Sequence, residues 1–541
     1  MKIRFSRAPI LLALILIGAF GARVYGINFP RYHWDENLNF DSALYAARHA
    51  LALGSYVHGS FFPYLILTVW TTWLMLNGAP PGALDLNAEF ARDFATFALL
   101  ARAIILVASV ATVGVTYLLG ARLYSRAVGL LAAFFLAFTF LHVSESHYAR
   151  SHVLSAFWMT SAVYWCARVL DTGRARDYVC AGICIGLATA AQYSAVLGMF
   201  ALVSAHLARG WNLHATIHWR AWLLDRAFLL GLNCAALTFF SVTPYALLNF
   251  PYFAGEMKWF LTEVVSHTWV DPEGQPVFLF YLTEHLRNGM GLGFEIVAFA
   301  GLIYALYRHQ TRDWILLAFP LPLLLALAKG ENFARYALPL LPFFAIAAAR
   351  VLNDGAQFAR ARWATGALIA FALALMLPSA RNIARYDFWL TQPDTRAVAA
   401  QWIATNIPRD ARIVIEGAGV LGPTPPAASA RVETVFRLDE SHEGGMFVRQ
   451  VARAQTFIER EVEYLVTVSW MQRADQASYS AEFQRSLVEA YAPIVEFAPT
   501  IEFRFDPYAW RMDYAALEQI VPGTPGMGGP RVTIYRRRGM P

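Results

Sequence analysis

Charge is what this sequence has least of. Only 15% of its 541 residues are Asp, Glu, Lys or Arg, against 57% hydrophobic residues, and the mean hydropathy is +0.41. A soluble protein carries about 25% charged and about 45–50% apolar residues, so a soluble globular chain is excluded. Cysteine is scarce too. Cys166, Cys180, Cys184 and Cys234 all fall inside apolar runs, which implies no disulfide framework. Cys180 and Cys184 share a helix face at i, i+4, the spacing of a metal pair, but small buried side chains packing between helices are the preferred reading. No asparagine begins an Asn-x-Ser/Thr sequon, which favours a bacterial membrane over an endoplasmic reticulum. Internal repeats are absent, and almost no ionisable residue lies deep in an apolar run. Both absences count against the main rival reading, a membrane transporter or lipid flippase. The net charge of +6 comes from short Arg-rich patches between apolar runs, so nucleic acid is not an expected partner.

What is present is a series of long apolar stretches. Lys2, Arg4 and Arg7 precede a run from about Pro9 to Ile27, long for a signal peptide and better read as an uncleaved first span. Further runs lie near 61–77, 103–121, 127–141, 152–168, 178–190, 193–208, 223–245, 289–307, 314–328, 336–349 and 363–379. If all twelve crossed, Arg122, Arg126, Arg168, Arg174, Arg176, Arg308 and Arg312 would lie outside, against the positive-inside rule. Letting Phe61–Asn77 lie along the outer surface returns every Arg-rich loop, including Arg209–Arg226 and Arg350–Arg362, to the cytoplasm. The expected fold is therefore a polytopic α-helical membrane protein with about eleven transmembrane helices plus juxtamembrane helices, N-terminus inside. Residues 1–379 form its membrane domain, with outer loops at 28–101 and 249–288. Residues 380–541 have ordinary composition and read as an extracytoplasmic α/β domain. There, Asp394–Asn406 and Tyr479–Ala490 read as helices, and Arg412–Glu416, Glu463–Ser469 and Arg531–Arg536 as strands.

Polar residues at membrane depth announce function. Asp35 and Glu36, within Tyr32-His33-Trp34-Asp35-Glu36, follow the first span directly. Two adjacent carboxylates at a membrane edge suit a general base; acids also favour a helix's first turn. The loop from His142 to His152 holds three histidines and Glu145; its spacing matches no standard zinc site, and a solvated loop is the simpler reading. The segment Lys329-Gly330-Glu331-Asn332-Phe333-Ala334-Arg335-Tyr336 places cations where they snorkel to the interface or meet a phosphate.

These residues resemble the GT-C membrane glycosyltransferases, in the branch of protein O-mannosyltransferases and lipid A aminoarabinose transferases. His33-Trp34-Asp35-Glu36 with Ala43-Leu44-Tyr45-Ala46-Ala47-Arg48 and Gly54-Ser55-Tyr56 is similar to that family's first outer loop. His58-Gly59-Ser60-Phe61-Phe62-Pro63 is similar to its juxtamembrane His-Pro-Pro segment, and Arg102 to an arginine opening its second span. Ser146-His147-Tyr148-Ala149-Arg150, Gly186-Leu187-Ala188-Thr189-Ala190-Ala191-Gln192-Tyr193 and Arg335-Tyr336-Ala337-Leu338-Pro339 follow in the family's order. The chain departs from the family at His152, where an aspartate is common, and at Gln192, where a lysine often faces the lipid phosphate.

The resemblance implies a polyprenyl-phosphate-linked sugar as donor, with lipid, glycan or protein as acceptor, at the outer face of a bacterial cytoplasmic membrane. It implies inverting transfer with Asp35 as general base, Glu36 orienting the acceptor, and Arg335 and Lys329 facing the leaving phosphate. Tyr336, His58, Arg102, His147, Arg150, Gln192, Tyr193 and His267 are further substrate-binding candidates. No cofactor is certain; a divalent cation on Asp35, Glu145 and His152 remains open. A scaffold whose outer domain binds partners is a second rival, and it would leave Asp35 and Arg335 without a task.

Overall fold

Helices begin in this chain where short polar residues stand ahead of apolar runs. Asp93 accepts a hydrogen bond from Thr96 N, Ser125 from Val128 N and Asp225 from Phe228 N, each capping the helix that follows. Gly173, in the left-handed conformation, ends another. The computed structural model describes residues 8–29, 34–79, 85–214, 223–264, 276–328, 333–359, 363–416, 423, 431–435, 462–469, 481–501 and 514–539. They fall into two compact units, Met1–Ile27 with Asn39–Ile383, and Asn28–Leu38 with Ala384–Pro541.

The first unit is helical. Its elements begin α1 (Ala8–Val24), α2 (Trp34–Arg48, whose first residues belong to the second unit), α3 (Phe61–Leu76), α4 (Leu86–Arg92), α5 (Phe94–Leu123), α6 (Arg126–Ala137), α7 (Phe140–Glu145), α8 (Ser151–Thr172), α9 (Ala175–Ala191) and α10 (Met199–His214). Helices Arg226–Val242, Leu292–Arg308, Thr311–Leu317, Pro320–Leu327, Leu341–Ala359 and Ala364–Leu390 continue it, the last from Ala384 onward belonging to the second unit. Among the described residues four helices are long and apolar enough to cross a membrane, Phe94–Leu123, Ser151–Thr172, Ala334–Ala359 and Ala364–Leu390; a fifth candidate, Val277–Met290 with Leu292–Arg308, bends by 115°. The bend sits at Gly291, whose φ of +85° a side chain would resist. Several apolar runs differ from expectation. The run at 314–328 is broken ahead of Pro320 into two short helices, because proline cannot continue the hydrogen-bond ladder. The last run continues as one helix to Leu390.

α5 packs on α6 and α8, α8 on α9, and α9 on Arg226–Val242. The last pair meets backbone to backbone: a Cβ at Gly182 would lie 2.1 Å from Gly231 O, and one at Gly186 2.6 Å from Ala235 O. Without a hydrophobic drive between helices in lipid, such small-residue contacts supply the packing.

The Arg-rich turns collect at one end of this unit. Arg122 pairs with Asp171 at 2.8 Å, and Arg312 donates to the carbonyls of Arg122 and Leu123. Arg350 pairs with the buried Asp313, which also accepts from Tyr124 Oη at 2.7 Å. Turns far apart in sequence are thus stitched together at one end of the unit.

The C-terminal part of the second unit carries a five-stranded sheet in the order β2-β1-β3-β5-β4. β1 (Arg412–Glu416), β2 (Arg431–Val435) and β3 (Tyr464–Val468) run parallel. β5 (Val532–Arg537) and β4 (Tyr491–Phe497) are antiparallel additions. Ile413, Ile415, Val466, Val532 and Ile534 pack on Ala399 and Ile403 of helix Thr395–Asn406, which Asp394 caps through Arg396 N.

Candidate functional site

Opposite the Arg-rich end, antiparallel α8 and α9 bring the N-terminus of one beside the C-terminus of the other. A turn leading into α3 lies against them. Gly59 in that turn has φ +78°, and a Cβ there would come within 2.5 Å of Ala190 O, so only glycine lets His58 approach the end of α9 this closely. The segment ahead of it holds Ala50 and Leu51 at positive φ, a strained conformation for residues with side chains. Four tyrosine hydroxyls secure it. Tyr245 donates to Ala50 O, Tyr64 to Leu51 O, Tyr252 to Gly54 O and Tyr193 to Tyr56 O. Glu256 accepts from Ser55 Oγ at 2.7 Å and Tyr56 N at 3.0 Å. Of the four tyrosines only Tyr193 was expected.

The same elements enclose a cavity of about 820 Å³. Most of its wall is apolar, from Ile185, Leu232, Phe239, Phe253, Met257 and Leu323 among others. His58, Ser151, His152, Gln192, Tyr193 and Tyr336 supply polar groups, so five residues expected from sequence, His58, His152, Gln192, Tyr193 and Tyr336, meet at one place. No Lys, Arg, Asp or Glu is among the described residues lining it. Ser151 and His152 open the first turn of α8, where no side chain caps the helix; the helix dipole there suits an anion. An apolar chamber ending in such a group can hold an amphiphile with an anionic head.

Arg335 lies just beside this wall. It is buried, its guanidinium 4.0 Å from the Phe333 ring and 5.5 Å from the Tyr336 ring. Tyr336 in turn meets His152 with ring centroids 5.3 Å apart. Tyr281 Oη donates to Phe333 O and fixes this turn.

Other expected residues take structural positions. Arg102 NH1 donates to Ile27 O at 3.1 Å, and His147 Nε2 lies 3.0 Å from Tyr25 O, so both grip the backbone just after α1. Burial pushes His147 down to about 4, against the opposing pull of the Tyr25 and Val143 carbonyls. Arg150 stacks over Tyr148 and pairs with Glu145 at 3.4 Å. Arg23, not singled out from sequence, is fully buried and donates to Ser109 Oγ, to the carbonyls of Ala19, Ala137 and Leu136, and to His142 Nδ1. It thereby caps the end of α6. Asp35 and Glu36 occupy the first turn of α2 with buried side chains. His267 and Lys329 lie outside the described residues.

Among the described residues no three His, Cys, Asp or Glu side chains are placed to hold one ion, and Glu145 has the Arg150 guanidinium as partner. Cys180 and Cys184 are likewise free thiols.

Residues 94–245 match the family described as dolichyl-phosphate-mannose-protein mannosyltransferase. No curated protein sequence matches the chain at a significant level. Among solved structures, the aminoarabinose transferase ArnT of Cupriavidus metallidurans bound to undecaprenyl phosphate is similar, with a TM-score of 0.56 at 12% identity over 98% of either chain. So is the oligosaccharyltransferase AglB of Archaeoglobus fulgidus, in complex with an inhibitory peptide and a dolichol-phosphate. It has a TM-score of 0.56 at 12% identity, over 99% of this chain and 89% of the other. The oligosaccharyltransferase from the same organism in the apo form gives 0.55 at 14% identity over 92% and 74%. The chain shares its fold with these solved transferases.

Proposed function

We propose that this chain moves a sugar from a polyprenyl-phosphate carrier to an acceptor hydroxyl at the outer face of a bacterial cytoplasmic membrane. One observation carries the reading. The large apolar cavity ends at the uncapped N-terminus of α8, beside Arg335, in a fold shared with two transferases whose structures hold undecaprenyl phosphate and dolichol-phosphate. The lipid tail lies along the apolar wall, and the phosphate lies toward Ser151, His152 and Arg335. Lys329 is the second cation assigned to the phosphate.

Asp35 is the general base. It takes the proton of the acceptor hydroxyl as that oxygen bonds to the anomeric carbon, while the bond from that carbon to the phosphate oxygen breaks and the lipid phosphate leaves with the electron pair. One displacement inverts the centre, and no covalent sugar–enzyme intermediate forms. Glu36 orients the acceptor. Eleven spans, with α3 along the outer surface and the N-terminus in the cytoplasm, put the cavity end outside and the Arg-rich turns inside.

The test is transfer by the purified full-length protein in lipid, offered a panel of radiolabelled polyprenyl-phosphate sugars and membrane extract. Wild type transfers label and Asp35→Asn, equally folded, does not, by at least about a hundredfold. Equal activity in Asp35→Asn removes the base assignment. No step is routed through a metal; activity lost to a chelator and restored by a divalent cation would require one.

A further inference from the structure

The two helix ends at the cavity differ in what they ask of a ligand. α8 offers N–H groups at Ser151 and His152, whereas α9 finishes at Ala191 and Gln192 with carbonyls, an electronegative end. The Ala190 and Ala191 oxygens face the Gly59 turn, 2.5 and 2.8 Å from where its Cβ would stand. Gln192 itself lines the cavity. Its backbone is engaged, N donating to Ala188 O at 2.9 Å and O accepting from Ala195 N at 3.0 Å. The neighbouring Tyr193 hydroxyl is committed to Tyr56 O. The carboxamide oxygen of Gln192 is buried and accepts no hydrogen bond.

A buried acceptor left without a donor is costly, and such groups are rare without a reason. A fully ionised phosphate cannot satisfy this one, because its oxygens also only accept. With no Lys, Arg, Asp or Glu among the described lining residues, the cavity distinguishes ligands by where they place donors.

We propose that Gln192 is a specificity-determining residue that reads the sugar of the carrier-linked donor, its carboxamide oxygen accepting a hydrogen bond from a sugar hydroxyl beside the end of α9. This rests on the carrier reading above and adds to it an orientation: phosphate to the start of α8, sugar hydroxyl to the end of α9. A site built around a hydrogen-bond acceptor rejects a ligand that lacks the donor, because the acceptor then stays buried and unpaired.

The experiment measures binding of farnesyl phosphate and of hexosyl farnesyl phosphates, including singly deoxygenated hexoses, to the full-length protein in detergent. Wild type prefers the hexosyl lipid, and one particular deoxygenation weakens binding by about tenfold or more. Gln192→Leu, which cannot accept, loses that preference and responds alike to hexose and deoxyhexose, while farnesyl phosphate binding persists and reports a folded protein. Gln192→Glu, which keeps an acceptor of the same shape, retains sensitivity to the same deoxygenation. Discrimination that survives in Gln192→Leu overturns the proposal. So does equal loss of the bare and hexosyl lipids in that variant, since the amide would then contact the phosphate. Wild type that binds neither lipid overturns the carrier reading itself, and the Gln192 assignment with it.

Discussion

One methyl group at Gly59 meets two penalties at once. It must adopt φ +78° and lie 2.5 Å from the Ala190 carbonyl, a rigid neighbour rather than a flexible side chain. Gly59→Ala therefore destabilises the protein by about 1–3 kcal/mol and moves His58 off the cavity wall; a lower thermal midpoint together with weaker polyprenyl phosphate binding is the expected result. His147 makes a different kind of demand. Its folded value, near 4, is below the ordinary histidine value of about 6.5. Above pH 6.5 the ring is neutral whether the chain is folded or not, and stability is unaffected. As pH falls from about 6.5 toward 4 the unfolded chain binds a proton that the folded one refuses, so stability drops, by at most about 3 kcal/mol for this group. Thermal midpoints in detergent should fall across that window, and His147→Asn should show a shallower fall. His142, buried beside Arg23 and also pushed well down, adds to the fall in the same direction. The candidate residues themselves were legible as types: His58, His152, Gln192, Tyr193 and Tyr336 stood out as polar groups flanking apolar runs, or through the motifs they belong to. Their division into those lining a cavity and those, such as Arg102 and His147, holding backbone was not, since each role depends on partners far away along the chain.

At the level of elements, α9 depends on having no side chains where it crosses Arg226–Val242. Gly182→Leu drives a branched side chain into the Gly231 carbonyl, and loss of monodisperse protein on size exclusion is expected. Gly21→Ala, at a helix position with no atom near its would-be Cβ, should behave as wild type; equal tolerance at both positions would show that the close crossing is not needed. Element positions were largely legible. Helix Thr395–Asn406 and strands β1, β3 and β5 appear within a residue or two of their expected bounds. Two strands were not foreseen. β4 carries Pro493 at an irregularity in its pairing with β5, and proline argues against a strand unless the strand lies at an edge. β2 follows a Pro-rich stretch and is an edge strand too. Both are defined by the neighbour they pair with more than by their own composition.

For the molecule as a whole, the open question is which end faces which side of the membrane. A cysteine replacing Gly54, exposed near the cavity end, should react with an impermeant maleimide in intact spheroplasts. One replacing His309, exposed beside the Arg-rich turns, should react only after permeabilisation. The reverse pattern would invert the proposed orientation and place the cavity end in the cytoplasm. The native cysteines offer little background, since Cys166 and Cys184 are buried and Cys180 and Cys234 partly so.

The amino-acid sequence by itself determined that this is a membrane protein, where its helices run and which turns gather at one end. Those properties are local: an apolar run, a capping Asp or Ser, a cluster of arginines each act over a few residues. Only the tertiary structure decided that the turn carrying His58, the start of α8 and the end of α9 enclose one cavity, that four tyrosines hold a strained loop beside it, and that Gln192 is left with a buried oxygen seeking a donor. These depend on groups far apart in the chain, such as Tyr56 with Tyr193 and Ser55 with Glu256. Whether a polar atom is satisfied is a property of everything packed around it, and no stretch of sequence contains that information.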